Sequence, residues 1–287
     1  MRAGGAHRLL LISLAALAGC AVPRLSSTPE GTPLATEVRG PGLLFEVRYP
    51  RDGAAEAARI GDGLLAAGPQ LARWGQFRHG VVVRILPDHE ALEAMIGLHG
   101  YPWLRAWAFG DQILLQSPRS WGDPADTREE LGELLVHELT HALMYQLLAP
   151  ERPSGFLAAA LDEPPLWFRE GMASVTAGQG YRRPTREELS GWLSDHPGID
   201  LVHPSPELVR TEKEAVYGAA HRAFDLLLRD CGEDAVRGVL RGVREGAKFA
   251  DAFKAATGRA LGEFESEALR SGFLLSAPRA AGRDGPR

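Results

Sequence analysis

The chain has 287 residues, of which 45% are hydrophobic and 24% charged, enough for a buried core in one large domain or two small ones and too apolar for a disordered or fibrous protein. Its formal net charge is −5, and the basic residues are nearly all arginines scattered along the chain, with lysine at 213, 248 and 254 alone. No basic stripe is present to neutralise phosphates, which argues against a nucleic-acid partner.

At the start of the chain, Arg2, His7 and Arg8 precede an apolar run over residues 9–18, the length of a secretory signal and too short to span a bilayer. The run ends in "LAGC", residues 17–20, which resembles the bacterial lipobox. That resemblance implies a lipoprotein signal peptide over residues 1–19, cleavage before Cys20 and lipid attachment to Cys20. The expected location is the bacterial cell envelope, on the periplasmic side of the inner or outer membrane or at the cell surface. Cys231 is then the one remaining thiol, so no internal disulfide can form. Its setting, "LLLRDCGEDAV", reads as a helix end at Gly232, which suits a small packed residue better than a catalytic thiol.

Residues 20–41 are rich in Pro, Ser, Thr and Gly and read as a flexible tether. After it, "LLFEVRYP" alternates as a strand, and residues 53–74 carry Ala and Leu at helical spacing with an interruption at Gly68-Pro69. The β-branched run "VVVRILP", 81–87, predicts a buried strand, followed by a short helix capped by Asp88. "AWAFGDQILLQSP", 106–118, predicts a strand or a hairpin about Gly110-Asp111. The glycines of "GDGLLAAG" lack the strand context of a dinucleotide site.

Beyond Asp123 the pattern becomes helical. A long helix opens at a capping signature, Asp126 or Thr127 with Glu129 or Glu130, and closes before Pro150. A second takes Pro164-Pro165 into its first turn and ends near Gly178, and two more are expected over roughly residues 211–230 and 233–256. Residues 276–287 form a polar tail. The fold class is thus α+β: a mixed strand and helix part with a small twisted sheet, then a mostly helical part, in one domain over residues 42–275.

The long helix contains "LLVHELTHALMYQL", 134–147. On a helix, His137 and His141 lie one turn apart on one face, with their Cβ atoms about 5–6 Å apart, so both imidazoles can reach one tetrahedral zinc. Glu138 sits about 100° further round, the place for a carboxylate that takes a proton from activated water. Leucine, valine and alanine flank the pair almost all round, and histidines on so buried a helix need a partner. A catalytic zinc takes a third protein ligand, and "LWFREGMAS", 166–174, offers Glu170 on the next helix. Alone, Glu170 would read as an exposed glutamate paired with Arg169 or solvent.

HELTH followed by Trp167, Glu170, Gly171, Ala173 and Ser174 resembles the gluzincin zinc metallopeptidases, in particular the peptidase MA-like group and the aminopeptidase N family. The resemblance implies a zincin-like fold with a zinc cleft between the two parts, Zn2+ held by His137, His141 and Glu170, and Glu138 as general base. It also implies a tyrosine that steadies the oxyanion. Tyr217 in "AVYGAAHRAF" is the match, although the lysine of the family's Y-x-K-G-A context is absent and simple packing at a helix start stays open. The strand "AFGDQILLQ" lacks the glutamate of the family's amine-reading G-x-M-E-N, so exopeptidase specificity is not implied. An extended peptide could still pair with that strand.

The expected function is hydrolysis of peptide bonds in a peptide or protein substrate by a membrane-tethered zinc peptidase. A catalytically idle lipoprotein serving as an envelope binding module, or a zinc amidase acting on a cell-wall component, are the alternatives; an intact set of four site residues weighs against the idle form. His221 reads as a core or surface histidine rather than a cleft group. Asp195-His196 and His203, in a Pro-rich loop, read as solvated, and Tyr101, Trp103, Trp107 and Phe109 as packing rather than cleft lining.

Overall fold

A computed structural model of the protein describes residues 33–121, 127–149 and 164–273. The expected signal peptide over residues 1–19, Cys20 and the expected polar tail over residues 276–287 lie outside these residues.

The first half builds a five-stranded sheet from β1 (Leu34–Gly40), β2 (Leu43–Tyr49), β3 (Val81–Leu86), β4 (Ala106–Phe109) and β5 (Gln112–Gln116). Their order is β1-β2-β3-β5-β4, parallel across β2/β3 and β3/β5 and antiparallel at both margins. In β2 the alternation predicted from the sequence sends Phe45 and Val47 inward and Leu44 and Arg48 outward. Strand β5 is covered on both faces: Ile113 and Leu115 join the main core, while Leu114 joins Leu86, Leu92, Met95 and Leu104. That second layer belongs to α3 (His89–Ile96), whose N-cap Asp88 accepts from Ala91 N. The main-core face is covered by α1 (Ala54–Ala66), the short α2 (Gly68–Leu71) and α4 (Thr127–Leu148).

Strand β1 corrects the expected tether, because residues 34–40 pair with β2 over their whole length. The pairing is non-local and the strand's side chains are mostly exposed, so no apolar alternation announced it.

The second half is helical: α5 (Leu166–Thr176), α6 (Arg186–Asp195), α7 (Pro206–Thr211), α8 (Lys213–Arg244), α9 (Phe249–Thr257) and α10 (Leu261–Phe273). Pro165 caps α5 from outside, so the two prolines precede the first turn rather than occupy it. Gly232, at φ 77° and ψ 175°, breaks α8 into two helical segments at the predicted place. The stretch expected to be helical to residue 256 is interrupted after Arg244, where Gly246 takes φ 98° and α9 starts afresh. Helices α6 and α7 contract the expected Pro-rich loop to residues 196–205.

Trp167, Phe168, Phe224, Phe249, Phe253 and Phe264, ring centroids mostly 5–6 Å apart, lock α5 to α8, α9 and α10. Gly171 lets α5 lie directly on α8: a Cβ there would stand 2.5 Å from Phe224 Cβ and closer still to Ala220 O. This contact sets the position of the neighbouring Glu170.

Candidate metal centre

Helix α4 is buried along Leu135, Leu139 and Leu143 and presents His137 and His141 on another face. Helix α5 crosses it and delivers Glu170 to the same point. His137 Nε2 and His141 Nε2 are 3.2 Å apart, and Glu170 Oε2 is 3.3 Å from the first and 3.4 Å from the second. Two ligands on a tetrahedral zinc at 2.0–2.1 Å are about 3.3 Å from each other. The triangle therefore fits a zinc ion, with two imidazoles and one carboxylate as donors. Among the described residues, this is the group whose ligand atoms converge in this way.

The electrostatics agree with a site made for positive charge. Burial opposes the charge of Glu170, yet the two histidines outweigh it and hold the carboxyl well below its ordinary range. Burial likewise opposes charge on His141, and Glu170 reverses the sign, moving the imidazole up. Glu138, buried beside them, is pushed up by burial, with His137, His141 and a hydrogen bond from Ala108 N–H of β4 pulling the other way. It is accordingly a stronger base than an exposed glutamate.

Tyr217, in the second turn of α8, is half-buried between the Trp103 ring, at 5.8 Å, and the Arg183 guanidinium, 5.6 Å over its ring. Burial, then the negative charges of Glu170 and Glu138, push its phenol well up, so at neutral pH it is a hydrogen-bond donor.

Two groups not anticipated from the sequence stand behind the triangle. His137 Nδ1 is 3.2 Å from Gln179 Oε1, and Arg183 Nη2 donates to the same oxygen at 3.1 Å. They lie in and after the turn over residues 179–182 that follows Gly178, a position at φ 69°. Nothing in "AGQGYRRP" marks them beforehand, since their role comes from tertiary contact with α4.

The other candidates fall outside the centre. His221 is buried and shares a hydrogen bond with Ser174 Oγ at 3.0 Å; burial and the Arg222 and Arg183 charges push its imidazole down to about 4. Exposed His196 stacks on Trp192, and His203 pairs with Asp200 and Glu265. Tyr101, Trp103, Trp107 and Phe109 pack against the α3 cluster, with Trp103 also against Tyr217. Cys231 is a half-buried free thiol, pushed up by burial.

No protein-family model and no curated protein matches the chain. Solved structures to which the chain shows similarity include Legionella pneumophila aminopeptidase A in complex with aspartic acid, at 14% identity and TM-score 0.49, covering 82% of this chain and 27% of that one. An M1 zinc metallopeptidase from Deinococcus radiodurans follows at 13% and 0.45, covering 86% and 54%. An aminopeptidase N family protein from Idiomarina loihiensis matches at 14% and 0.46, covering 86% and 48%. The chain thus spans about half the length of these proteins, or less.

Proposed function

We propose that the protein is a zinc-dependent peptidase. The observation that carries the reading is the triangle of His137, His141 and Glu170, 3.2–3.4 Å on each side, with the buried base Glu138 on the adjoining face of α4. Two neutral imidazoles and one carboxylate leave a net positive charge on a divalent ion and leave room for a fourth ligand. The chemistry zinc supplies at such a site is Lewis acidity toward a scissile carbonyl and a water pKa lowered to about 7.

The chain's own groups account for the rest. Glu138 takes the proton of the attacking water and returns it to the leaving amine. Tyr217 donates its O–H to the oxygen on which negative charge develops, an interaction that grows in the transition state and so raises the rate. Strand β4 is paired on one side by β5, and Ala108 N–H on its other side reaches Glu138. An extended peptide laid along this edge has its backbone beside the base. No carboxylate on β4 or β5 stands ready to read a free amino terminus, and an endopeptidase is the form we favour.

We place the protein at the bacterial cell envelope, tethered by lipid on Cys20, on the strength of the signal-like residues 1–20. No described helix is long and apolar enough to cross a membrane. The zinc-loaded chain, incubated with a mixed peptide library, should cleave internal bonds, and Glu138→Gln should keep zinc and lose roughly 10²–10⁴-fold in rate. A library left intact by a zinc-replete wild type would refute the peptidase assignment.

A further inference from the structure

Given a metal at His137, His141 and Glu170, we propose that Arg183 is a positioning residue for the ligand His137, acting through the side-chain amide of Gln179. A guanidinium offers N–H donors and no acceptor, so the Gln179 atom that meets Arg183 Nη2 at 3.1 Å is the amide oxygen and not the NH2. The same oxygen is 3.2 Å from His137 Nδ1. An oxygen at that distance demands N–H at Nδ1, which puts the lone pair of the neutral ring on Nε2. Nε2 is the atom that faces His141 and Glu170.

The alternative arrangement shows why Arg183 is needed. A terminal amide has two nearly equivalent orientations about its last torsion. Turned over, Gln179 would offer its NH2 to Nδ1, drive the ring proton to Nε2, and block the metal position. Gln179 is 3% exposed, so bulk water does not impose either orientation. Arg183 does, because only one orientation presents it with an acceptor.

Arg183 is itself held. Its Nε donates to Ser174 Oγ at 3.4 Å, its guanidinium lies over Tyr217, and Glu214 is 3.9 Å away. Ser174 in turn bonds His221, whose Nε2 leaves no space for a Cβ at Gly180, the residue after Gln179. The tautomer of a ligand on α4 is thus set from α5 and α8.

Zinc affinity, measured on the purified chain by competition with a chromophoric chelator, tests this apart from turnover. Gln179→Leu should weaken zinc about 10- to 100-fold, the usual effect of losing a partner behind a ligating histidine. Arg183→Met should weaken it about tenfold in the native background, by the same rule, and have no further effect on Gln179→Leu. Gln179→Glu has an oxygen in either orientation, so it should hold zinc at least as well as the native chain and make Arg183→Met harmless. Thermal midpoints of the zinc-free variants are read alongside, and if Arg183→Met does not fold, the two Gln179 variants decide. Zinc binding unchanged in Gln179→Leu overturns this assignment while leaving the metal site standing, as does an equal effect of Arg183→Met with Gln or Glu at 179. A native chain that binds no zinc overturns the metal site and this assignment together.

Discussion

Replacing Gly171 by alanine should cost both stability and metal. A methyl group there would stand 2.5 Å from Phe224 Cβ and nearer to the Ala220 carbonyl oxygen, where ordinary contact begins near 3.4 Å. The helices α5 and α8 must therefore part by about 1 Å, and helix backbone cannot turn aside as a side chain can. Overpacking of this kind costs about 1–3 kcal/mol. Alanine recovers about 1 kcal/mol through helix propensity, leaving a net loss of up to about 2 kcal/mol. For a chain of this size that is a fall of up to about 8 °C in Tm. Glu170 is the preceding residue, and ligands tolerate only about 0.5 Å of displacement, so zinc affinity should fall by at least about tenfold. Calorimetry of the zinc-free protein and chelator competition read the two effects. Gly132→Ala, on α4 with open space around the position, is the control and should be neutral or slightly stabilising. If Gly171→Ala matches the native protein in both Tm and zinc affinity, the link from helix contact to ligand position is wrong.

Tyr217→Phe should lower kcat by about 10²–10³-fold with zinc affinity unchanged, as measured on whichever peptide the library yields; equal kcat would assign Tyr217 to packing against Trp103. Zinc at a hundred times its Kd should add about 2.7 kcal/mol to unfolding free energy, visible as a Tm that falls on chelation and returns on re-addition, and a Tm indifferent to chelator would count against the site. His221 takes its proton at about 4 in the fold and near 6.5 when unfolded, so the unfolded state binds more protons between those values. Its contribution is complete above pH 6.5 and is lost as pH falls toward 4, by about 2–3 kcal/mol, a loss that His221→Leu should lack in urea titrations across that window.

The parts legible in the sequence are those with local causes. The alternation of β2, the β-branched run of β3, the Gly110 turn of the β4–β5 hairpin and the Asp88 cap of α3 each sit where short-range chemistry puts them. Helices α6 and α7 had local signals too, the capping box of Thr185 with Glu188 and the cap Ser205 before Pro206, hidden among prolines and glycines. Strand β1 had none, since it is held by pairing with β2 rather than by burying its own side chains. The same division runs through the candidate metal centre. His137, Glu138 and His141 follow from helical spacing and Glu170 from the need for a third ligand, whereas Gln179 joins His137 across 42 residues and only tertiary packing against α4 brings it there.

Metal content is the most direct test of the central claim. The purified native chain, Glu138→Gln and Glu170→Ala should be loaded with zinc, desalted and assayed for zinc per chain. One zinc in the first two and a strong loss in the third is the predicted result, because Glu170 closes the triangle while Glu138 stands beside it. A native chain without zinc, or Glu170→Ala retaining it at native affinity, would contradict the site as described.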